Sequence, residues 1–297
     1  MQCIKPWYYE KQQQWLPCSV CNFCIQNKAL DWCFRLMWEQ KVSITSAFIT
    51  LTYADEYLPI HQPTGEGTFS IPDLQNFFKR LRKLNEKDNY AKTITRSWKQ
   101  SKNGRIHTAD YKPIRYYLSS EYGGLNGRPH YHIILFNCQR ETLEKLHTVW
   151  PIGNIDISRV SSDSIGYVCA YHVNGLVSAG ARPKPFALMS RKTGIGSNYI
   201  NSNLKWHRDE NHPNENKFYV LDNNHKRRLP RFYKSKIFTK DEIQEGGITF
   251  QQQEEIRAKA IYALRDYHKE PDSYYYLQIK QMHDEIAIKW KNKKLHL

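Results

Sequence analysis

Apolar residues along this chain alternate in some stretches and recur at helical spacing in others. Residues 47–53, Ala-Phe-Ile-Thr-Leu-Thr-Tyr, are β-branched and aromatic and stop at Ala54-Asp55-Glu56, which predicts a central strand. Behind Pro72-Asp73, the positions Leu74, Phe77, Phe78, Leu81 and Leu84 fall on one helical stripe, with Ser70 or Ile71 near the cap. Residues 87–110 are polar and charged and read as a loop. After Pro113, residues 114–121 form a second strand; Gly123, Gly124 and Gly127 mark a turn; and residues 129–136, Pro-His-Tyr-His-Ile-Ile-Leu-Phe, return as a third, making a hairpin. A short helix over 143–150 stops at Pro151, and 154–160 alternates like a strand. The cluster Ser161-Ser162-Asp163-Ser164 then caps a helix over 165–173 that ends at Asn174-Gly175. Residues 27–40 are helix-periodic through Ala29, Trp32, Cys33, Leu36 and Met37, as is the chain from Gln251 onward. The expected class is α+β, a central antiparallel β-sheet flanked by helices, after a Cys-rich N-terminal segment and before C-terminal helices.

Charge changes this picture by indicating a partner. Lys plus Arg number 44 against 29 Asp plus Glu, a net +15, and aromatics make up 13% of the 297 residues with 20 Tyr among them. Positive charge interleaved with flat rings suits a polyanion with stackable bases, hence nucleic acid. A membrane surface fits less well, because no basic helix has a broad apolar face and no run of about 18 apolar residues exists. No secretory leader precedes Lys5, Glu10 and Lys11, so a cytoplasmic location is expected, where seven cysteines stay reduced. The absence of GxxxxGK[ST] removes an intrinsic P-loop helicase. The triplet Lys192-Thr193-Gly194 is no sign of a penicillin-binding enzyme, because the one Ser-x-x-Lys, Ser202 to Lys205, follows it.

The candidate chemistry begins at His130 and His132. On a strand, residues two apart leave the same face, so both imidazoles can share one metal, although an isolated His-x-His is equally compatible with a hydrogen-bonded pair. Glu121 stands at the loop end of the preceding strand, where a carboxylate can meet the histidines across the pair. On a helical wheel Tyr167 and Tyr171 lie opposite the arc of Ile165, Val168, Cys169, His172 and Val173, where core tyrosines would not normally fall. Two His and one Glu leave open positions on Mg²⁺ or Mn²⁺, which can hold a scissile phosphate and offset transition-state charge. A phenol nearby can attack phosphorus and keep the bond energy in a phosphotyrosine for rejoining. Separately, Cys18-x2-Cys21-x2-Cys24 with Cys3 upstream has the makings of a tetrahedral zinc set, or of reduced cysteines at a helix start. The segment 225–236 sets Lys226, Arg227, Arg228, Arg231 and Lys234 beside Phe232 and Tyr233, a mixture that suits phosphate and base contact.

Residues 127–136, with Phe48-Ile49-Thr50-Leu51-Thr52 before them and Tyr167-x3-Tyr171 after them, resemble the three motifs of HUH rolling-circle replication endonucleases. The nearer likeness is to replication initiators of the Microviridae, in particular the gokushovirus branch. Cys3 with residues 17–21, residues 120–123 and residues 189–196 are similar to that branch too, so the resemblance covers about residues 1–240. It implies a Rep-like fold with the His strand in mid-sheet, His130, His132 and Glu121 as metal ligands, and Tyr167 and Tyr171 as nucleophiles. Related initiators often carry lysines beside and just after the tyrosine pair. Ala170 and Gly175 stand there here, leaving Arg191 or Lys192 as the candidate substitute for holding phosphate. The expected organisation is a Cys-rich segment and helix over 1–40, an HUH nickase domain over 41–240 and a basic helical region over 241–297. The expected substrate is single-stranded and duplex origin DNA, with a host helicase as unwinding partner and the bacterial host cytoplasm as location. A relaxase or transposase with the same core, and a non-catalytic nucleic-acid-binding module, are the alternatives.

Overall fold

The hairpin at 114–136 is the spine of a five-stranded sheet. In the computed structural model, which describes residues 3, 7–12, 14–100, 112–124, 127–174, 180–209, 218–222 and 225–243, the strands are β1 (Trp7–Tyr9), β2 (Gln14–Leu16), β3 (Ser46–Thr52), β4 (Ile60–His61), β5 (Glu66–Gly67), β6 (Arg115–Tyr122), β7 (Pro129–Phe136), β8 (Ile155–Arg159), β9 (Ala187–Met189), β10 (Tyr219–Asp222) and β11 (His225–Arg228). The helices are α1 (Asn22–Val42), α2 (Ile71–Gln100), α3 (Arg140–Glu144), α4 (Ser162–Asn174), α5 (Asn198–Arg208) and α6 (Arg231–Ile237). The chain divides into two compact units, residues 32–199 and residues 1–31 with 200–297. No helix among the described residues is long and apolar enough to cross a membrane. The C-terminal region expected to be helical from Gln251 lies outside the described residues.

In the first unit the sheet order is β8-β3-β7-β6-β9, antiparallel throughout, with the His strand β7 in the middle. This is the α+β architecture that the alternating patterns predict. Cross-strand register sorts the side chains into two faces, because opposed residues point the same way. Thr52, His130 and Glu121 form one row, and Thr50, His132 and Ser119 form the next on the same face. The other face is the main core. Ile49, Leu51, Tyr131, Ile133, Leu135 and Leu118 are buried there with the α2 stripe Leu74, Phe77, Phe78 and Leu81. Ser70 caps α2, its hydroxyl accepting from the Asp73 N–H at 3.3 Å.

Two local expectations change. Residues 87–100 are the continuation of α2 and not a loop, since neither Gly nor Pro occurs before Gly104 to stop a helix already nucleated on the core. The helix expected over 143–150 starts earlier, as α3, and ends in a separate 3₁₀ turn over Leu146–Thr148. Side chains of α2 pull its start back: Asn85 accepts from the Gln139 N–H at 2.7 Å, and Asp88 accepts from Thr142 at 2.8 Å and Lys145 at 2.9 Å. Just beyond, Trp150 donates its indole N–H to the Thr52 carbonyl at 2.9 Å, and the next turn crosses β3 so closely that a Cβ on Gly153 would lie 1.8 Å from that carbonyl oxygen. Only glycine fits at this crossing.

The second unit contains the ribbon β1–β2, the start of α1, the ribbon β10–β11 and α6. Leu229, Tyr233, Ile237, Phe238 and Val220 are buried in it, with His207 against Phe238.

Candidate active site

The middle strand presents its two histidines differently. His130 points its Nδ1 at the Arg128 carbonyl, 2.9 Å away. A carbonyl can only accept, so Nδ1 carries the proton and Nε2 keeps a lone pair for a metal. The Arg128 backbone is itself held, because its guanidinium pairs with the Asp55 carboxylate and donates to the Tyr53 carbonyl at 2.8 Å. Gly123 leaves the space for the ring; a Cβ there would meet His130 Cε1 at 2.8 Å. His132 is buried, with Nδ1 3.1 Å from the Thr50 hydroxyl and Nε2 2.9 Å from Glu121 Oε1. The hydroxyl can serve either tautomer of that ring. Phe48 stacks on His132 at 5.7 Å, and the two imidazoles lie parallel with centroids 6.4 Å apart.

Helix α4 brings Tyr167 to this row. Ser161 and Ser164 cap it reciprocally: the Ser164 N–H donates to the Ser161 hydroxyl at 3.1 Å, and the Ser161 N–H donates to the Ser164 hydroxyl at 2.8 Å. Ile165, Val168 and Cys169 are buried as the apolar arc requires. The opposite arc does not face water at Tyr167. That half-buried ring packs edge-on against His132 at 5.1 Å and Phe48 at 6.4 Å, and its hydroxyl donates to Glu121 Oε1 at 3.4 Å. Tyr171 follows one turn later on α4, and its side chain lies outside those described. The sheet's own phenols are unsuited to ionise: burial pushes Tyr131 up to about 12, and drives Tyr117, buried against Cys169 and Cys33, well above the ordinary tyrosine range.

The donor set fits a hard divalent cation. Glu121 Oε2 is buried with no hydrogen-bond partner among the described residues, an expensive state for a carboxylate oxygen unless a cation completes it. The 2.9 Å between Glu121 Oε1 and His132 Nε2 is close to the ~3.0 Å edge of an octahedron with bonds of ~2.1 Å. His130 stands further out, so the three side chains form an open set.

The other expected residues separate into three groups. Arg191 and Lys192 are exposed in the turn after β9, where Arg115 donates to the Lys192 carbonyl at 3.0 Å. Arg115 is six residues from Glu121 on β6, about 20 Å along a strand. The turn therefore belongs to the opposite end of the sheet, away from the histidines, and a direct substitute for the missing lysines is not found in it. In the second unit Arg227, Arg228 and Arg231 are exposed on β11 and α6, Arg228 pairing with Asp31 at 2.9 Å, while the Lys226 side chain lies outside those described. Lys234 lies over the Phe218 ring at 4.0 Å; burial, with the Arg228 charge, holds its ammonium down to about 8. The four cysteines do converge: Cys3, Cys18, Cys21 and Cys24 have sulfurs all within 4.8 Å of one another.

Sequence reading missed Thr50, Gly123 and Arg182. Thr50 is inside the strand pattern that resembles the first motif, and only register reveals that its hydroxyl meets His132. Arg182 donates to the carbonyls of Gly127 at 2.7 Å and Gly67 at 3.1 Å and covers the Tyr122 ring at 3.8 Å, which ties the His130 turn from a distant segment. No local signal marks it.

Comparison with known proteins agrees with this geometry. Residues 46–175, which include all five expected metal and tyrosine positions, match the family model of the replication-associated protein ORF2. The chain is 28% identical to replication-associated protein VP4 of Bdellovibrio phage phiMH2K over 73% of its length and 65% of that relative's. It is 28% identical to replication-associated protein ORF2 of Spiroplasma virus 4 over 63% of its length and 58% of the relative's. It is 24% identical to replication-associated protein ORF4 of Chlamydia phage 1, over 52% and 37%. The matched stretches cover less than two thirds of each relative's length. No solved structure matches.

Proposed function

Taking the chain as a replication-associated protein of the gokushovirus kind, which its matches to phage relatives support, we propose that it is a metal-dependent, site-specific endonuclease. It nicks one strand of origin DNA through a phosphotyrosine and later rejoins the displaced circular strand in rolling-circle replication. The observation that carries this reading is the meeting of Tyr167, Glu121 and His132 at one point of the sheet, with Glu121 Oε2 buried and unpartnered among the described residues. A module that only binds DNA gives no reason for that buried carboxylate oxygen.

Bound Mg²⁺ or Mn²⁺ would supply charge for the scissile phosphate oxygens, held by Glu121, His130 and His132. The chain's own residues do the rest. Tyr167 is aimed by its ring contacts with His132 and Phe48, so the phenol oxygen reaches phosphorus without searching rotamers. As the new oxygen–phosphorus bond forms and the bond to the deoxyribose oxygen breaks, the phenol proton leaves toward Glu121 Oε1, and the sugar oxygen takes a proton from water. Thr50 and the Arg128 carbonyl keep the imidazoles oriented through the step. Tyr171, ~5–6 Å away between Cβ atoms on the same helix, is the second nucleophile, which attacks while Tyr167 holds its strand end. Unwinding is left to a host helicase, and the basic ribbon and helix of the second unit are the proposed DNA contact. Host cytoplasm is the proposed location.

The test is incubation with origin oligonucleotides and Mg²⁺ or Mn²⁺, followed by mass spectrometry of the covalent peptide. Tyr167→Phe combined with Tyr171→Phe abolishes the adduct while DNA binding survives. Robust adduct formation by that double variant removes the tyrosines as nucleophiles.

A further inference from the structure

The N-terminal cysteines are not needed by the nickase reading and belong to the other unit. Cys3 precedes β1 and Cys18 follows β2, so the two thiols stand at the open ends of one ribbon. Cys21 lies just before α1, its carbonyl accepting from the Ile25 N–H at 2.9 Å, and Cys24 is in the first turn. The sulfurs meet in pairs, Cys18 with Cys24 at 4.0 Å and Cys21 with Cys3 at 3.9 Å, and all four are within 4.8 Å of one another. Zn–S bonds of ~2.3 Å in a regular tetrahedron place sulfurs ~3.8 Å apart, so these spacings are those of a mononuclear site. They are also far too long for disulfides, and all seven cysteines are free.

Two backbone features support a ligand role over chance proximity. The Cys18 N–H donates to Cys3 Sγ at 3.1 Å and the Cys21 N–H to Cys18 Sγ at 3.3 Å, contacts that stabilise sulfur as thiolate. Ser19 takes a left-handed φ of 64°, unusual for a non-glycine residue, and this bends the Cys18-x2-Cys21 knuckle so that both sulfurs turn inward. The free N–H groups at the start of α1 add positive potential beside Cys24. The segment also needs a staple: β1 and β2 have three residues each, Trp7 is 48% exposed and Val20 75% exposed, and a two-stranded ribbon with so little burial is marginal in water.

We infer that Cys3, Cys18, Cys21 and Cys24 bind one structural Zn²⁺ that clips the N-terminal ribbon to the start of α1. Four thiols lose their protons to solvent, four Zn–S bonds form and no electron moves. The site is closed, with no position left for substrate.

The full chain carrying His130→Ala and His132→Ala, purified without chelators, separates this site from the nickase metal. About one zinc per chain is expected by elemental analysis. Replacement by Co²⁺ gives the intense visible bands and sulfur-to-cobalt charge transfer of a tetrahedral thiolate site. Cys21→Ser in the same background lowers retained zinc at least about 10-fold against a competing chelator, while Cys33→Ser leaves it unchanged. If Cys21→Ser fails to fold, the cobalt spectrum of the chain with its cysteines intact decides. A chain without zinc whose four thiols all react with an alkylating reagent, a mononuclear iron in place of zinc, or full retention in Cys21→Ser overturns the assignment. Loss of nicking has no bearing on it, so the two readings fail separately.

Discussion

The two ligand clusters of this protein are built on opposite plans. At the sheet, three donors come from two neighbouring strands, one carboxylate oxygen is buried without a partner among the described residues, and the imidazoles stay 6.4 Å apart. At the N-terminus, four sulfurs come from one short stretch and a single upstream residue and already sit at tetrahedral spacing. The difference follows from what each must do. A reacting phosphate needs vacant positions on a cation, so its protein ligands must be few and set on a rigid scaffold. A staple needs every position filled, and short flexible segments suffice because the metal itself organises them.

The sharpest break in that comparison is His130→Ala. Metal-dependent cleavage is expected to fall by more than the roughly 100-fold that loss of a supporting residue costs, with the zinc content of the cysteine cluster unchanged. Unchanged cleavage in EDTA would sink the metal role at the sheet. Next in size is the scaffold. Gly153→Ala forces a Cβ onto the Thr52 carbonyl at the edge of the site and should cost about 3 kcal/mol or more, read as a lower denaturation midpoint for the sheet unit. Thr50→Val keeps the shape but removes the hydroxyl from His132, and cleavage should drop about 10–100-fold with the fold intact.

The smallest effect concerns the second unit. Burial and the Arg228 charge depress Lys234 to about 8 from an ordinary 10.5, so the folded state resists the charged form. Its cost is complete below pH 8 and fades as pH rises towards 10.5, because over that window the unfolded chain holds a proton that the folded chain has released. The thermal midpoint of the second unit should rise across this window, and Lys234→Met should flatten the rise; equal slopes in the two proteins would remove this account.

Much of the candidate site is legible in local pattern. His130 and His132 share a face because strand side chains alternate, and Glu121 opposes His130 because a glycine-rich turn fixes the hairpin register. Tyr167 is singled out by falling off the apolar arc of its helix. What the wheel does not carry is where that arc points: facing away from the apolar side reads as exposure, whereas in the fold Tyr167 leans on His132 and Phe48. Arg191 and Lys192 illustrate the converse. Positive charge next to a resembling motif invites a phosphate role, but the pairing of Met189 with Tyr117 puts their turn at the far end of β6 from Glu121.

The sequence alone therefore determined the element types, the hairpin, the shared face of the histidines, the cysteine spacing and the basic balance, since each depends on neighbours within a few residues or on composition. Tertiary structure decided the rest. It set β3 beside β7 so that Thr50 meets His132, brought Arg182 to the His130 turn, turned Tyr167 onto Glu121 and carried Cys3 across a ribbon to Cys21. Those contacts join residues 15 to 115 positions apart, or fix which way a helix face turns. No periodicity encodes them; the burial of the whole core does.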